Sequence, residues 1–120
     1  MLRAALLTIG LLAALAVPAF AQEIGTALVV SNAPVRHQGT RVGDLTVSRN
    51  GSSVVATASF KGRPPGPTMS VCVTLAGGEH HCAKKKARRD GSVELRTTAD
   101  FQTRLTARAR SGAARGHLSL

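Results

Sequence analysis

The chain reads as an all-β protein, a single small antiparallel β-sandwich behind a cleaved export signal. Three observations predict this. From Asp44 onward, short runs alternate apolar and polar residues, the pattern of half-buried strands. Turn residues punctuate those runs at regular spacing: Asn50-Gly51, Asp90-Gly91 and Ser111-Gly112. The two cysteines of the chain, Cys72 and Cys82, stand on either side of a further turn, Gly77-Gly78. No helical period follows the leader.

The leader is residues 1–21, MLRAALLTIGLLAALAVPAFA. Arg3 supplies a positive start, residues 4–17 are apolar, and Pro18 breaks the run. Ala19-Phe20-Ala21 then forms an A-x-A cleavage site, so cleavage is expected before Gln22. The run is short for a membrane span, with no stop-transfer pattern after it, no cysteine for lipid attachment and no later apolar segment. The expected location is therefore secreted or periplasmic. Processing leaves 99 of the 120 residues, one domain's worth. With Arg3 gone, 15 of the 16 Lys and Arg face 6 Asp and Glu, a formal +9.

Residues 22–43 are mixed and read as a lead or a first strand. Residues 26–30 have strand composition, and residues 32–43 are turn-rich, as in a loop. The sandwich itself is expected over residues 44–120. Leu45 and Val47 alternate with Asp44, Thr46 and Ser48 before the Asn-Gly hairpin signal. Val54, Ala56, Ala58 and Phe60 then share a face. Residues 61–67, KGRPPGP, cannot continue a central strand and read as a semi-rigid connection.

The cysteine hairpin follows. Val71, Val73 and Leu75 take one face, Cys72 and Thr74 the other. A three-residue loop, Ala76-Gly77-Gly78, sets Cys72 directly opposite Cys82, close enough for a disulfide. A two-residue Gly77-Gly78 loop leaves them diagonal, so bond formation favours the first register. The rival is a metal site of Cys72, Cys82, His80 and His81. Adjacent His80 and His81 point to opposite faces of a strand, so three ligands at most converge, and no CxxC or HxxxH spacing supports them. The disulfide is the preferred reading, with no metal and no cofactor expected; a surface copper or zinc contact at His80 or His81 is the remaining alternative. The disulfide also agrees with export, since disulfides persist outside the cytoplasm.

Beyond the hairpin, Val93 and Leu95 alternate with Glu94 and Arg96, and Ala99-Asp100 marks a corner. Phe101, Thr103, Leu105, Ala107 and Ala109 then share a face opposite Arg104, Thr106, Arg108 and Arg110. Residues 117–120 supply a last short strand with Leu118 and Leu120 inward. The count is about seven strands, a sandwich's complement. The expected core is Leu45, Val47, Val54, Ala56, Ala58, Phe60, Val71, Val73, Leu75, Val93, Leu95, Phe101, Leu105, Ala107 and Leu118. It is rich in alanine and holds only two aromatic rings, which makes a covalent staple more useful.

The segments DLTVSRNGSSVVATASF, TMSVCVTL and FQTRLTARARSGAARGHLSL resemble the first, middle and last strand pairs of a bacterial immunoglobulin-like or fibronectin type III-like secreted module. The likeness spans residues 44–120 and is one of pattern. It implies that the cysteine-hairpin strands and the last two strands lie in one sheet. Phe101 stands where such modules often carry a corner tyrosine, without the hydroxyl. The inter-sheet cysteines and core tryptophan of antibody domains are missing. A narrower likeness links CVTLAGGEHHC and DGSVELRTT to the hairpin disulfide and next strand of neocarzinostatin-type apoproteins, which carry enediyne chromophores. That family has a second cysteine pair and tends to be acidic; this chain is neither.

Charge is the main functional signal. Lys84, Lys85, Lys86, Arg88 and Arg89 form one run, and Arg104, Arg108 and Arg110 an outward stripe. In the sheet that the resemblance implies, Lys84 shares a face with Arg104 and Arg108. A basic face of this kind concentrates anions and speeds association with acidic partners. Candidate partners are an anionic envelope polymer, lipid headgroups of a membrane surface, nucleic acid or an acidic protein. The plain alternative is a solvated face that keeps an exported protein soluble. The chain has neither Trp nor Tyr, which removes stacking platforms for single-stranded nucleic acid and rings for sugars. With export, this argues against sequence-specific nucleic-acid recognition. His37, His80, His81 and His117 are scattered, and neither GxSxG nor HExxH occurs, so no enzyme is expected. The residues thus point to a non-catalytic binding module. The alternatives are a structural module that pairs through its edge strands and a hydrophobic-cleft carrier of small molecules.

Overall fold

A computed structural model describes residues 28–120. The expected export signal, residues 1–21, and the first two residues of the 26–30 run lie outside that range. The described residues form eight strands: β1 Leu28–His37, β2 Thr40–Asn50, β3 Ser53–Phe60, β4 Thr68–Leu75, β5 His80–Lys86, β6 Ser92–Thr98, β7 Leu105–Ser111 and β8 Ala114–Ser119. All are hydrogen-bonded into one antiparallel sheet of order β5-β4-β7-β8-β1-β2-β3-β6.

Period-2 alternation produces this sheet directly. In β3, Val54, Ala56, Ala58 and Phe60 are buried while their neighbours are not, and β4 repeats the rhythm with Met69, Val71, Val73 and Leu75. Inward residues from every strand except β5 join one apolar cluster. A single sheet can place them all in one interior only by curling, and β5 and β6, the two ends of the order, come into contact. The molecule is therefore a curled, barrel-like sheet. Its two halves, β1-β2-β3-β6 and β5-β4-β7-β8, meet at one ladder pair, Arg36 with Arg115.

The eighth strand comes from the lead. Residues 32–43 are not a loop: β1 runs through residue 37, turns at Gln38-Gly39, and β2 begins at Thr40. Both turn residues have positive φ, 52° and 80°, as a two-residue hairpin loop that matches strand twist demands. β8 also begins earlier than expected, at Ala114 rather than His117. The β2–β3 loop is Gly51-Ser52, with Asn50 paired to Ser53.

Phe101 is the clear correction. It is 45% exposed and lies in the turn before β7, which starts at Leu105. Leu118 is partly buried against the core rather than inside it. Val35, Met69, Ala99, Ala109 and Ala114 complete the interior. The corner that Phe101 fails to pin is held from below by Arg49 of β2. This guanidinium donates to the carbonyl oxygens of Thr103 (2.7 Å) and Asp100 (2.8 Å).

The KGRPPGP connection is strand-free, as expected. It carries the chain from β3 to β4 and is tied to the turn before β6. Gly62 N donates to Asp90 Oδ1 (2.6 Å), and Asp90 N donates back to Gly62 O (2.8 Å).

Candidate functional site

The cysteine hairpin sets the geometry of the outward face. Leu75 N donates to Glu79 O and Gly78 N to Leu75 O, which closes a three-residue loop at Ala76-Gly77-Gly78. Gly78 sits at φ 95°, a conformation open to glycine at little cost. The register that follows pairs Thr74 with His80, Cys72 with Cys82, Ser70 with Lys84 and Thr68 with Lys86. Cys72 and Cys82 are joined by a disulfide across a Cα–Cα distance of 4.1 Å, in line with a non-hydrogen-bonded pair. The bridge is compatible with an oxidising, extracytoplasmic location.

The ladders carry this register across the sheet. Ser70 pairs with Arg110, Arg110 with Arg115, and Arg115 with Arg36. One row therefore reads Lys84, Ser70, Arg110, Arg115, Arg36 over five strands. At the usual strand separation it spans roughly 19 Å. The next row reads Cys82, Cys72, Arg108, His117. Side chains two apart on a strand share a face, so both rows point outward, away from buried Val71, Ala107 and Ala109. Arg108, Arg110, Arg115 and His117 line one shallow depression. Arg108 and Arg110 also line its neighbour, with Ser70, Cys72, Thr74 and His80.

The carboxylates lie elsewhere. Among the described residues the ion pairs are Arg41–Asp44 and Arg96–Glu94, and Glu79 Oε2 lies 2.7 Å from His81 Nε2. Asp90 accepts from Gly62 N and Asp100 from Gln102 N. Arg41, the ladder partner of Arg36 on β2, holds Asp44; none of the other described acids lies beside a cation of the two rows.

The sequence-derived basic residues divide between places. Lys84, Arg108 and Arg110 come together in the rows, and Lys86 extends the face at Thr68. Arg104 is exposed just before β7, its backbone oxygen accepting from Ala76 N. Lys85 pairs with buried Met69 and so points to the opposite side of β5. Arg88 and Arg89 leave the sheet, in the turn that Gly91 N closes on Arg88 O. The contiguous run in sequence is thus not a contiguous patch. Arg36, Arg115 and His117 belong to the face and were missed as site residues. Arg36 lay in the stretch read as loop. Arg115 lay before the expected start of the last strand, where the inward small residues Ala114 and Gly116 mask the alternation. Comparisons of the chain with family models, with curated proteins and with solved structures find no match.

Proposed function

We propose that the protein is an exported, non-catalytic binding module that contacts an anionic envelope polymer through the outward face of β5, β4, β7, β8 and β1. The reading is of an immunoglobulin-like sandwich. In its support, the sheet order divides into two four-stranded halves joined at a single pair, with the cysteine hairpin and the last two strands in the same half.

One observation carries the function: Arg110, Arg115 and Arg36 stand directly opposite one another, and among the described residues none of the three makes an ion pair with a carboxylate. Like charges opposed across strands destabilise a sheet. Solubility alone needs no such row, because cations spread over the surface serve equally well. A linear polyanion laid across the strands meets a cation at nearly every strand spacing. Lipid headgroups and acidic proteins offer the same charge, but cations repeated at strand spacing suit a chain of anions best.

The test is retention on an immobilised sulfated or phosphorylated polymer. Replacing Lys84, Arg110 and Arg115 by Ser should shift elution to much lower salt. Replacing Lys85, Arg88 and Arg89 by Ser removes the same formal charge from outside the face and should shift it far less. Equal shifts for the two triple variants would reduce the effect to net charge and end the proposal.

A second reading has one observation in its favour. The ladder between β1 and β8 is confined to Arg36, and Leu28, Val29 and Val30 of β1 are exposed. That apolar edge, unpaired among the described residues, suits strand addition by a protein partner. Binding through it would survive high salt, whereas binding through the cationic rows would not.

A further inference from the structure

We infer that the outward surface of the cysteine hairpin is a reduction-gated site for a soft monovalent ion of the Cu(I) class, with Cys72, Cys82 and His80 as ligands. The hairpin register sets this up. Cys72 opposes Cys82, Thr74 opposes His80, and His80 lies two residues before Cys82 on the same face of β5. The two sulfurs and an imidazole nitrogen all lie within 4.8 Å of one another. His80 Nε2 is 3.2 Å from Cys82 Sγ.

The ring is already oriented. His80 Nδ1 lies 2.9 Å from Thr74 Oγ1. In the tautomer with the proton on Nδ1, that nitrogen donates to the threonine hydroxyl and Nε2 turns its lone pair toward the sulfurs. A hydrogen bond to the far nitrogen is how proteins commonly aim a ligating histidine. His81 is excluded: it faces the other side of the strand and its Nε2 meets Glu79 Oε2 at 2.7 Å.

While the disulfide is intact, both sulfurs are spent. Two equivalents of a small thiol, RSH, convert this. The Cys72–Cys82 bond breaks, RS–SR forms, and two electrons and two protons pass to the cysteines. The bridge is within reach, because Cys82 is exposed and Cys72 only partly covered. Binding the ion then displaces the two thiol protons.

Charge and donor number select the ion class. Two thiolates, a neutral imidazole and Cu(I) sum to one negative charge, and Arg108, the ladder partner of Cys72, stands beside it. Zn(II) in the same ligands leaves no charge for Arg108 to offset. It also seeks four ligands, and the group supplies three. Thiolates favour soft ions.

The experiment uses the processed chain, reduced with a phosphine, desalted without oxygen, and titrated against a chromophoric Cu(I) chelator. The reduced protein should withdraw one equivalent of Cu(I) and the oxidised protein none. His80→Ala should weaken the reduced protein's affinity at least about tenfold, while His81→Ala leaves it unchanged. A parallel Zn(II) titration should show weaker binding. Far-UV circular dichroism of the reduced protein should retain the strand signal, since the site depends on the hairpin. Loss of that signal overturns the inference. So do equal uptake by the oxidised protein, indifference to His80→Ala, or tighter binding of Zn(II).

Discussion

Arg49 shows how one side chain organises a segment remote from it. It is only 6% exposed, although it is charged. A buried charge is costly unless hydrogen-bonded, and this guanidinium fastens two carbonyls of the turn between β6 and β7 through its terminal nitrogens, while its buried Nε has no partner among the described residues. Those carbonyls lie 51 and 54 residues along the chain. Nothing local marks the residue: it precedes Asn50-Gly51 and reads as part of a turn. Phe101, by contrast, reads as an anchor because its parity matches Leu105 and Ala107. Parity counts only within a strand, and the strand begins after it. Replacing Arg49 by Met keeps most of the apolar stem and removes both donors. Charge-assisted bonds contribute about 1.5–3 kcal/mol each, with wide scatter. We expect Arg49→Met to cost about 2–4 kcal/mol in urea unfolding. Phe101→Ser should lie within about 0.5 kcal/mol of the parent, as for most exposed positions. The reverse ranking would return the corner to Phe101.

Among the strands, legibility followed the range of the cause. The cysteine hairpin was readable because loop length, glycine and sulfur all act within eleven residues, and each demands the same register. β3 and β4 were readable because a two-sided environment writes itself as alternation. The seam between β1 and β8 was not. Its determinants are small residues, whose value lies in what they leave out. Gly116 is the clearest: a Cβ there would meet Pro34 O at 2.7 Å and Val35 Cγ2 at 3.0 Å. The missing side chain lets β1 approach β8, and that approach sets Arg36 beside Arg115. The basic face was therefore half legible: its β5 and β7 members follow from alternation, but its β8 and β1 members depend on a contact between distant segments. Gly116→Val should force the seam apart and cost about 1–3 kcal/mol, the usual range for overpacking. Gly77→Ala, where a Cβ meets nothing within 4 Å, should change stability by less than about 0.5 kcal/mol. The two urea midpoints test the pair. Similar losses at both positions would mean that space at the seam is not what Gly116 provides.

For the molecule as a whole, the binding proposed for the basic face is set against stability. The formal charge of the sequence is +10, and none of the described acids pairs with a cation of the two outward rows. Self-repulsion of this kind weakens the compact state. It is concentrated where Arg110, Arg115 and Arg36 stand in line. Arg115 occupies the middle of that row, is exposed, and makes no ion pair with the described carboxylates. Removing it relieves two opposed pairs at once. Arg115→Thr also places a β-branched residue in a strand, which favours the extended backbone. We expect this variant to be more stable than the parent by about 0.5–1 kcal/mol at low ionic strength. The sign depends on salt. Screening weakens repulsion between exposed charges, so added sodium chloride should stabilise the parent more than the variant and narrow the gap. Urea is the proper denaturant, because guanidinium would itself supply the salt. The same substitution should weaken retention on an anionic polymer. Greater stability together with poorer binding is the signature of a surface kept for a ligand at some cost to the fold. A variant less stable than its parent, or a gap indifferent to salt, would show that the arginines do not repel one another, and the cationic row would lose its claim as a binding surface.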